Sequence, residues 1–97
     1  MGKCIIVITV EDHKYELITN YKDAFDLEEF SSRYTDYFYD YDYILGDIAY
    51  SKLRLKGFYD SDNVNAKEIN DIKYLDNYLK NYCAHDCKYF VLKQVKD

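Results

Sequence analysis

The chain opens with an apolar run over residues 4–10, in which both alternating faces are apolar and most side chains are β-branched. This pattern is typical of a strand that is covered on both sides. Polar residues 11–13 predict a turn, and residues 14–19 predict the returning strand of a hairpin. Residues 88–95 are again apolar on both faces and predict a last strand inside the sheet.

A first helix is predicted to begin after Asp26. Asp26 is a good N-cap residue, and Glu29 at the third helical position completes a capping box. Phe25 and Phe30 flank the cap with the spacing of a hydrophobic staple. Apolar residues at helical spacing extend this helix to about Tyr39.

A second helix is predicted further along the chain. Asn65 and Glu68 have the spacing of another capping box, which places the start of this helix near Asn65. One apolar stripe then follows helical spacing. Its members are Ile69, Ile72, Leu75, Leu79 and Tyr82 or Cys83.

A second hairpin is predicted over residues 41–59. A turn centred on residues 50 and 51 would set one apolar pair beside one pair of opposite charges, each worth roughly 0.2–1 kcal/mol. These pairs are Ile48–Leu53 and Asp47–Arg54. A turn at residues 46 and 47 is the competing register, and we prefer the first because it matches both pairs.

These elements give the order ββαββαβ in a single domain, residues 1–97, of the α+β class. A chain of 97 residues has room for one core and no second domain. We expect one sheet with the two helices packed on one face, and with the first and last strands internal.

Composition indicates which partners and which cellular compartment suit the protein. Its net charge of −5 argues against nucleic-acid binding, which needs a basic surface to displace counterions. Three cysteines without a recognisable signal peptide are typical of reduced thiols in the cytoplasm. No stretch is long enough to span a bilayer, so we expect no direct membrane association. Thirteen tyrosines favour a tyrosine-rich core rim, or alternatively a contact surface.

Three segments carry a resemblance to a known family. They are Tyr-Asp-Tyr-Ile-Leu-Gly-Asp at 41–47, Leu-Arg-Leu-Lys-Gly-Phe at 53–58, and Tyr-Cys at 82–83 with Cys87 and Tyr-Phe-Val-Leu at 89–92. Together they resemble the YutD-like proteins of low-GC Gram-positive bacteria. The resemblance covers nearly the whole chain apart from residues 60–69, and it implies no particular reaction.

The second hairpin carries the first candidate site. Its members are Tyr43, Asp47, Tyr50, Arg54 and Lys56. An arginine held beside a lysine can bind a carboxylate or a phosphate. In the competing interpretation Arg54 only braces Asp47 across the strands, and Lys56 is a solvated strand residue.

A second cluster lies where the last helix meets the last strand, and comprises Cys83, His85 and Cys87. Zinc requires four ligands, and structural sites usually place paired cysteines closer together than these. A disulfide between Cys83 and Cys87 is the other option. We expect both thiols to be reduced and metal-free, with at least one buried among apolar side chains.

We therefore interpret the chain as a non-catalytic module that binds another protein. The alternative is a regulatory switch that uses Cys83 and Cys87 with thiol or zinc chemistry. No cofactor is expected. An enzyme is the third possibility, and the sequence offers it no support, since it has no acid–base pair and lacks nucleophile-elbow, phosphate-loop and metalloprotease motifs. An acidic flank around the first helix is a further candidate surface for a basic partner, and its members are Glu28, Glu29, Asp36, Asp40 and Asp42.

Overall fold

The computed structural model describes residues 6–49, 51–67, 70–82 and 88–95. The α+β class and the order ββαββαβ are confirmed. The elements are β1 (Ile6–Val10), β2 (His13–Tyr21), α1 (Leu27–Arg33), β3 (Tyr43–Ala49), β4 (Lys52–Phe58), α2 (Leu75–Tyr82) and β5 (Lys88–Gln94). Two short 3-10 helices, Asp36–Asp40 and Ile72–Tyr74, precede β3 and α2.

The strands form one antiparallel sheet in the order β1-β2-β5-β3-β4. The last strand is central, as expected. The expectation that the first strand is internal is wrong, because β1 lies at one edge and leaves Ile6 and Val7 about half exposed. A two-residue turn ties β1 to β2 on one side, and the position on the other side of β2 is taken by β5.

The two helices lie on opposite faces of the sheet, so the prediction that both pack on one face is also wrong. Phe30 of α1 packs against Ile44 and Phe90, on what we call the α1 face. The apolar side of α2 packs against Leu45 and Val91, on the α2 face. Neighbouring residues of a strand point to opposite faces. Strands β3 and β5 are apolar on both faces, and each face is covered by one helix.

The start of α1 follows the prediction. The Asp26 carboxylate accepts hydrogen bonds from the backbone N–H groups of Glu28 and Glu29, at 3.0 and 3.3 Å. The Phe25 and Phe30 rings meet across the cap with their centres 5.9 Å apart. Capping by Asp26 and the apolar staple are thus both present at the helix entrance.

The end of α1 differs from the prediction, because the helix stops at Arg33 and not near Tyr39. Tyr34 leaves the helix in an extended conformation. Its buried hydroxyl group lies 2.8 Å from that of Tyr15. The chain re-enters helical geometry only in the 3-10 turn Asp36–Asp40. Burying Tyr34 beside Tyr15 interrupts the helical stripe.

The second helix also begins later than predicted. Asn65 lies in a loop, and residues 68 and 69 fall outside the described residues. The backbone beyond them is extended at Asp71, where it forms a bridge with Tyr59. The Asp71 carboxylate accepts a hydrogen bond from the N–H of Lys73 and caps the 3-10 turn that leads into α2. Pairing with Tyr59 keeps this segment extended until the turn begins.

The preferred register of the second hairpin is confirmed. Asp47 pairs with Arg54 and Ile48 pairs with Leu53 across β3 and β4. Ser51 has a φ of 64°, the left-handed conformation that tight hairpin turns require. Ala49 pairs with Lys52, so the turn lies between these two residues and not at residues 46–47.

Candidate functional site

An ion pair marks the middle of the second hairpin on the α2 face. The Nη2 atom of Arg54 lies 2.5 Å from Oδ2 of Asp47. The Asp47 side chain is only 3% exposed, whereas that of Arg54 is 50% exposed. The hydrogen bond and the charge of Asp47 raise the pKa of Arg54. Asp47 thus holds the Nη2 end of the guanidinium group of a half-exposed side chain.

Lys56 lies on the same face of β4, two residues beyond Arg54. Its Nζ atom is 5.1 Å from the centre of the Phe58 ring and 5.5 Å from the centre of the Tyr78 ring. These distances are within the range of cation–π attraction. Lys56 is therefore held where α2 meets the sheet edge.

Tyr43 lies at the other end of the same face. Its neighbours across the strands are Phe58 and Lys93, and its half-buried ring packs against the apolar cluster under α2. The Nζ atom of Lys93 lies 5.9 Å from the centre of this ring. Tyr43 is thus an extension of the site toward the central strand, separated from the Asp47–Arg54 pair by Leu45 and Lys56.

The described members of the candidate site therefore form a stripe and not a pocket. We call it the hairpin stripe, and it consists of Tyr43, Asp47, Arg54 and Lys56. Tyr50 lies outside the described residues, so its place in the stripe stays a prediction. Because β4 is the edge strand of the sheet, Arg54 and Lys56 lie at its margin.

A second polar feature was not anticipated from the sequence. Asp42 is buried and accepts hydrogen bonds from the backbone N–H of Asp60 at 2.8 Å and from the side-chain amide of Asn63 at 3.0 Å. Asp42 is therefore not part of the acidic flank to which it was assigned. It fastens the loop after β4 to the start of β3, and it borders an open cleft of about 370 Å³ that Glu16 and Lys93 also line.

Among the described residues, each pKa that is clearly shifted moves away from neutrality. Burial raises the pKa of Tyr15, and a hydrogen bond with Tyr37 raises the pKa of Tyr41 to about 12. The hydroxyl group of Ser61 lowers the pKa of Asp71 by donating a hydrogen bond to its carboxylate. These groups therefore keep one protonation state near pH 7.

Cys83, His85 and Cys87 lie outside the described residues. In the part of the chain that the structure describes, no three His, Cys, Asp or Glu residues come together as metal ligands. We expect Cys83 and Cys87 of the purified protein to react as free thiols once the protein is denatured, and the protein to contain no stoichiometric zinc. Elemental analysis together with thiol titration measures both. One zinc ion per chain would contradict the expectation and support the switch interpretation.

Comparison with known proteins identifies the family. The family model described as "Putative antitoxin YutD-like" matches residues 9–93. The chain belongs to the YutD-like family. It is 44% identical over 90 residues to "Putative antitoxin YutD" of Bacillus subtilis (strain 168), covering 93% of this chain and 99% of that protein.

The fold of a solved family member agrees with that of this chain. The solution NMR structure of protein yutD from B. subtilis is 42% identical and has a TM-score of 0.81. The match covers 100% of this chain and 88% of that structure. The hairpin stripe falls inside the region that the YutD-like family model covers. No helix in the described ranges is long and apolar enough to cross a bilayer.

Proposed function

We propose that this chain is an antitoxin that acts by binding another protein and suppressing the harmful activity of that protein. The observation that carries the proposal is its 44% identity, over nearly the whole of both chains, to a protein named as a putative antitoxin.

We further propose that the hairpin stripe contacts the partner, with Tyr50 beside it. Arg54 is half exposed and held by Asp47, so little side-chain freedom is lost when it binds. Lys56 is held over two aromatic rings close by. Arginine and tyrosine are enriched among the residues that dominate binding energy. The chemistry that fits this surface is an acidic patch on the partner protein.

Growth measurements test the antitoxin role. Genomic fragments from the native host are expressed in a bacterial strain that lacks this protein, and fragments that arrest growth are collected. We expect co-expression of this chain to restore growth for at least one fragment, and the encoded protein to co-purify with it at a fixed ratio. Failure to rescue any arrested strain would overturn the antitoxin proposal.

Paired substitutions then test the contact surface. We expect Tyr50→Ala with Lys56→Ala to weaken partner binding at least tenfold while changing the free energy of unfolding by less than about 1 kcal/mol. Titration calorimetry and thermal denaturation measure the two effects.

Tyr74→Ala with Lys73→Ala is the matched control, because Lys73 also lies over a tyrosine ring, at 5.3 Å, on another part of the surface. We expect this control to bind normally. Unchanged binding by the Tyr50 and Lys56 variant would exclude the hairpin stripe. The exposed acidic residues around α1, namely Glu28, Glu29, Asp36 and Asp40, would then be the next surface to test.

A further inference from the structure

The two edges of the sheet are built differently. Strand β4, at one edge, carries Lys52, Arg54 and Lys56 on one face. Charged residues on an edge strand discourage pairing with another strand. Strand β1, at the other edge, consists of Ile-Val-Ile-Thr-Val and has no charge and no proline. Its Ile6 and Val7 are 50% and 51% exposed, so β1 lacks the protection that β4 has.

The turn after β1 shows which backbone groups face outward. Glu11 and Asp12 have φ values of 51° and 65°, and Val10 pairs with His13 across them. Positive φ at both central residues is the type I′ turn, in which the flanking residues form a hydrogen-bonded pair. Hydrogen-bonded pairs alternate along an antiparallel ladder. Val7 and Thr9 therefore direct their N–H and C=O groups away from β2.

We propose that β1 pairs antiparallel with β1 of a second copy of this chain, about a two-fold axis at Ile8. In this register Val7 of one copy lies opposite Thr9 of the other, and each such pair exchanges two backbone hydrogen bonds. The two sheets become one ten-stranded sheet. All four outward backbone groups of Val7 and Thr9 are satisfied in both copies, as a self-complementary two-fold interface requires.

The side chains of the paired strands are also compatible. Ile6 of one copy lies opposite Val10 of the other on the α1 face, and the two Ile8 side chains meet at the axis. Val7 and Thr9 form the pairs on the α2 face. All five residues are uncharged, so no like charges face each other, and β-branched pairs pack well across strands. The pairing covers Ile6 and Val7, the half-exposed apolar residues of this edge.

The expected dimer is weak. A pair of five-residue strands buries less surface than the roughly 800 Å² per partner of a stable interface. The dissociation constant should therefore be on the order of 100 µM. Self-association of this kind is independent of the antitoxin function proposed above, since β1 and the hairpin stripe lie at opposite edges of the sheet.

Sedimentation equilibrium between about 10 µM and about 1 mM tests the association. We expect the mean mass to rise from that of one chain toward that of two. Val7→Lys should leave a folded protein that stays monomeric throughout this range. Leu27→Lys is the matched control, because Leu27 is 46% exposed but lies on α1. It should associate as the unmodified chain does.

Amide hydrogen exchange tests the register, and it needs no substitution. We expect exchange at Val7 and Thr9 to slow with increasing protein concentration, while exchange at Ile8, whose backbone groups face Tyr15 of β2, changes little. A single-chain mass at about 1 mM would overturn the proposal. So would a dimer that survives Val7→Lys, or one in which Val7 and Thr9 exchange as fast as in the monomer, since either places the contact elsewhere.

Discussion

Replacing Gly46 with alanine is expected to destabilise the protein by about 3 kcal/mol, at the upper end of the usual range for overpacking a core. A Cβ atom at Gly46 would lie inside the van der Waals envelope of the Phe90 ring, its direct neighbour across β3 and β5. Phe90 is fully buried, with the rings of Phe25 and Phe30 packed against it at 5.0 and 6.0 Å. The ring therefore has little room to move. Urea denaturation measures the loss.

Gly57→Ala provides the control for this prediction. A Cβ atom there would meet the attached end of the Tyr41 ring, at Cγ. Tyr41 is only partly buried, and its ring stacks on that of Tyr59. Relief requires the whole Tyr41 side chain to rotate, with loss of its contacts with Tyr37 and Tyr59. Because Tyr41 is less enclosed than Phe90, we expect a loss of about 2 kcal/mol, smaller than that at Gly46. Adding Phe90→Leu to Gly46→Ala should recover part of the stability by making room for the new methyl group. Equal losses for the two glycine variants would contradict this account of the core.

The sequence was sufficient for those parts of the fold that local pairing determines. Asp47 and Arg54, with Ile48 and Leu53 beside them, specified the hairpin register because only one alignment matches charge with charge and apolar with apolar. The Asp26 cap was equally local. Such signals involve residues within a few positions of one another, or across one tight turn.

The errors arose where a pattern has more than one physical cause. The two-sided apolar character of β1 predicted an internal strand, yet Ile6 and Val7 lie half exposed at an edge. A continuous apolar run indicates that both faces of a strand are apolar, but not whether another strand pairs with each of its two edges. The apolar stripe of a helix likewise identifies its buried side without indicating which face of the sheet it meets. Helices α1 and α2 therefore could not be assigned to opposite faces in advance.

The candidate site was only partly accessible to the same reasoning. The Asp47–Arg54 pair follows from strand register, but the position of Lys56 over Tyr78 depends on how α2 crosses the sheet. Asp42 was grouped with acidic residues near it in the sequence. Asp42 is instead buried, and its carboxylate accepts a hydrogen bond from Asn63, 21 residues away. No local pattern in the chain indicates a contact at that separation.

Removing Arg54 is expected to cost more stability than removing Asp47, although the two residues form one ion pair. Arg54→Ala leaves the Asp47 carboxylate buried without its cationic partner, and we expect a loss of about 3 kcal/mol, at the low end for a broken buried pair because Arg54 itself is half exposed. Asp47→Ala leaves a guanidinium group that water can reach, and the loss should be about 1 kcal/mol.

The combined variant decides between this account and a simple loss of contacts. With both residues changed to alanine no buried carboxylate remains, so we expect the double variant to be more stable than Arg54→Ala alone. Urea denaturation of the unmodified chain, the two single variants and the double variant, under one condition, gives the coupling free energy between Asp47 and Arg54. If the stability losses of the two single variants simply add in the double variant, Asp47 is not held by Arg54.

If the double variant is instead more stable than Arg54→Ala, weaker partner binding by Arg54→Ala would reflect the unpaired Asp47 as well as a lost contact. A binding test is therefore better made at Lys56, where no buried charge is left behind.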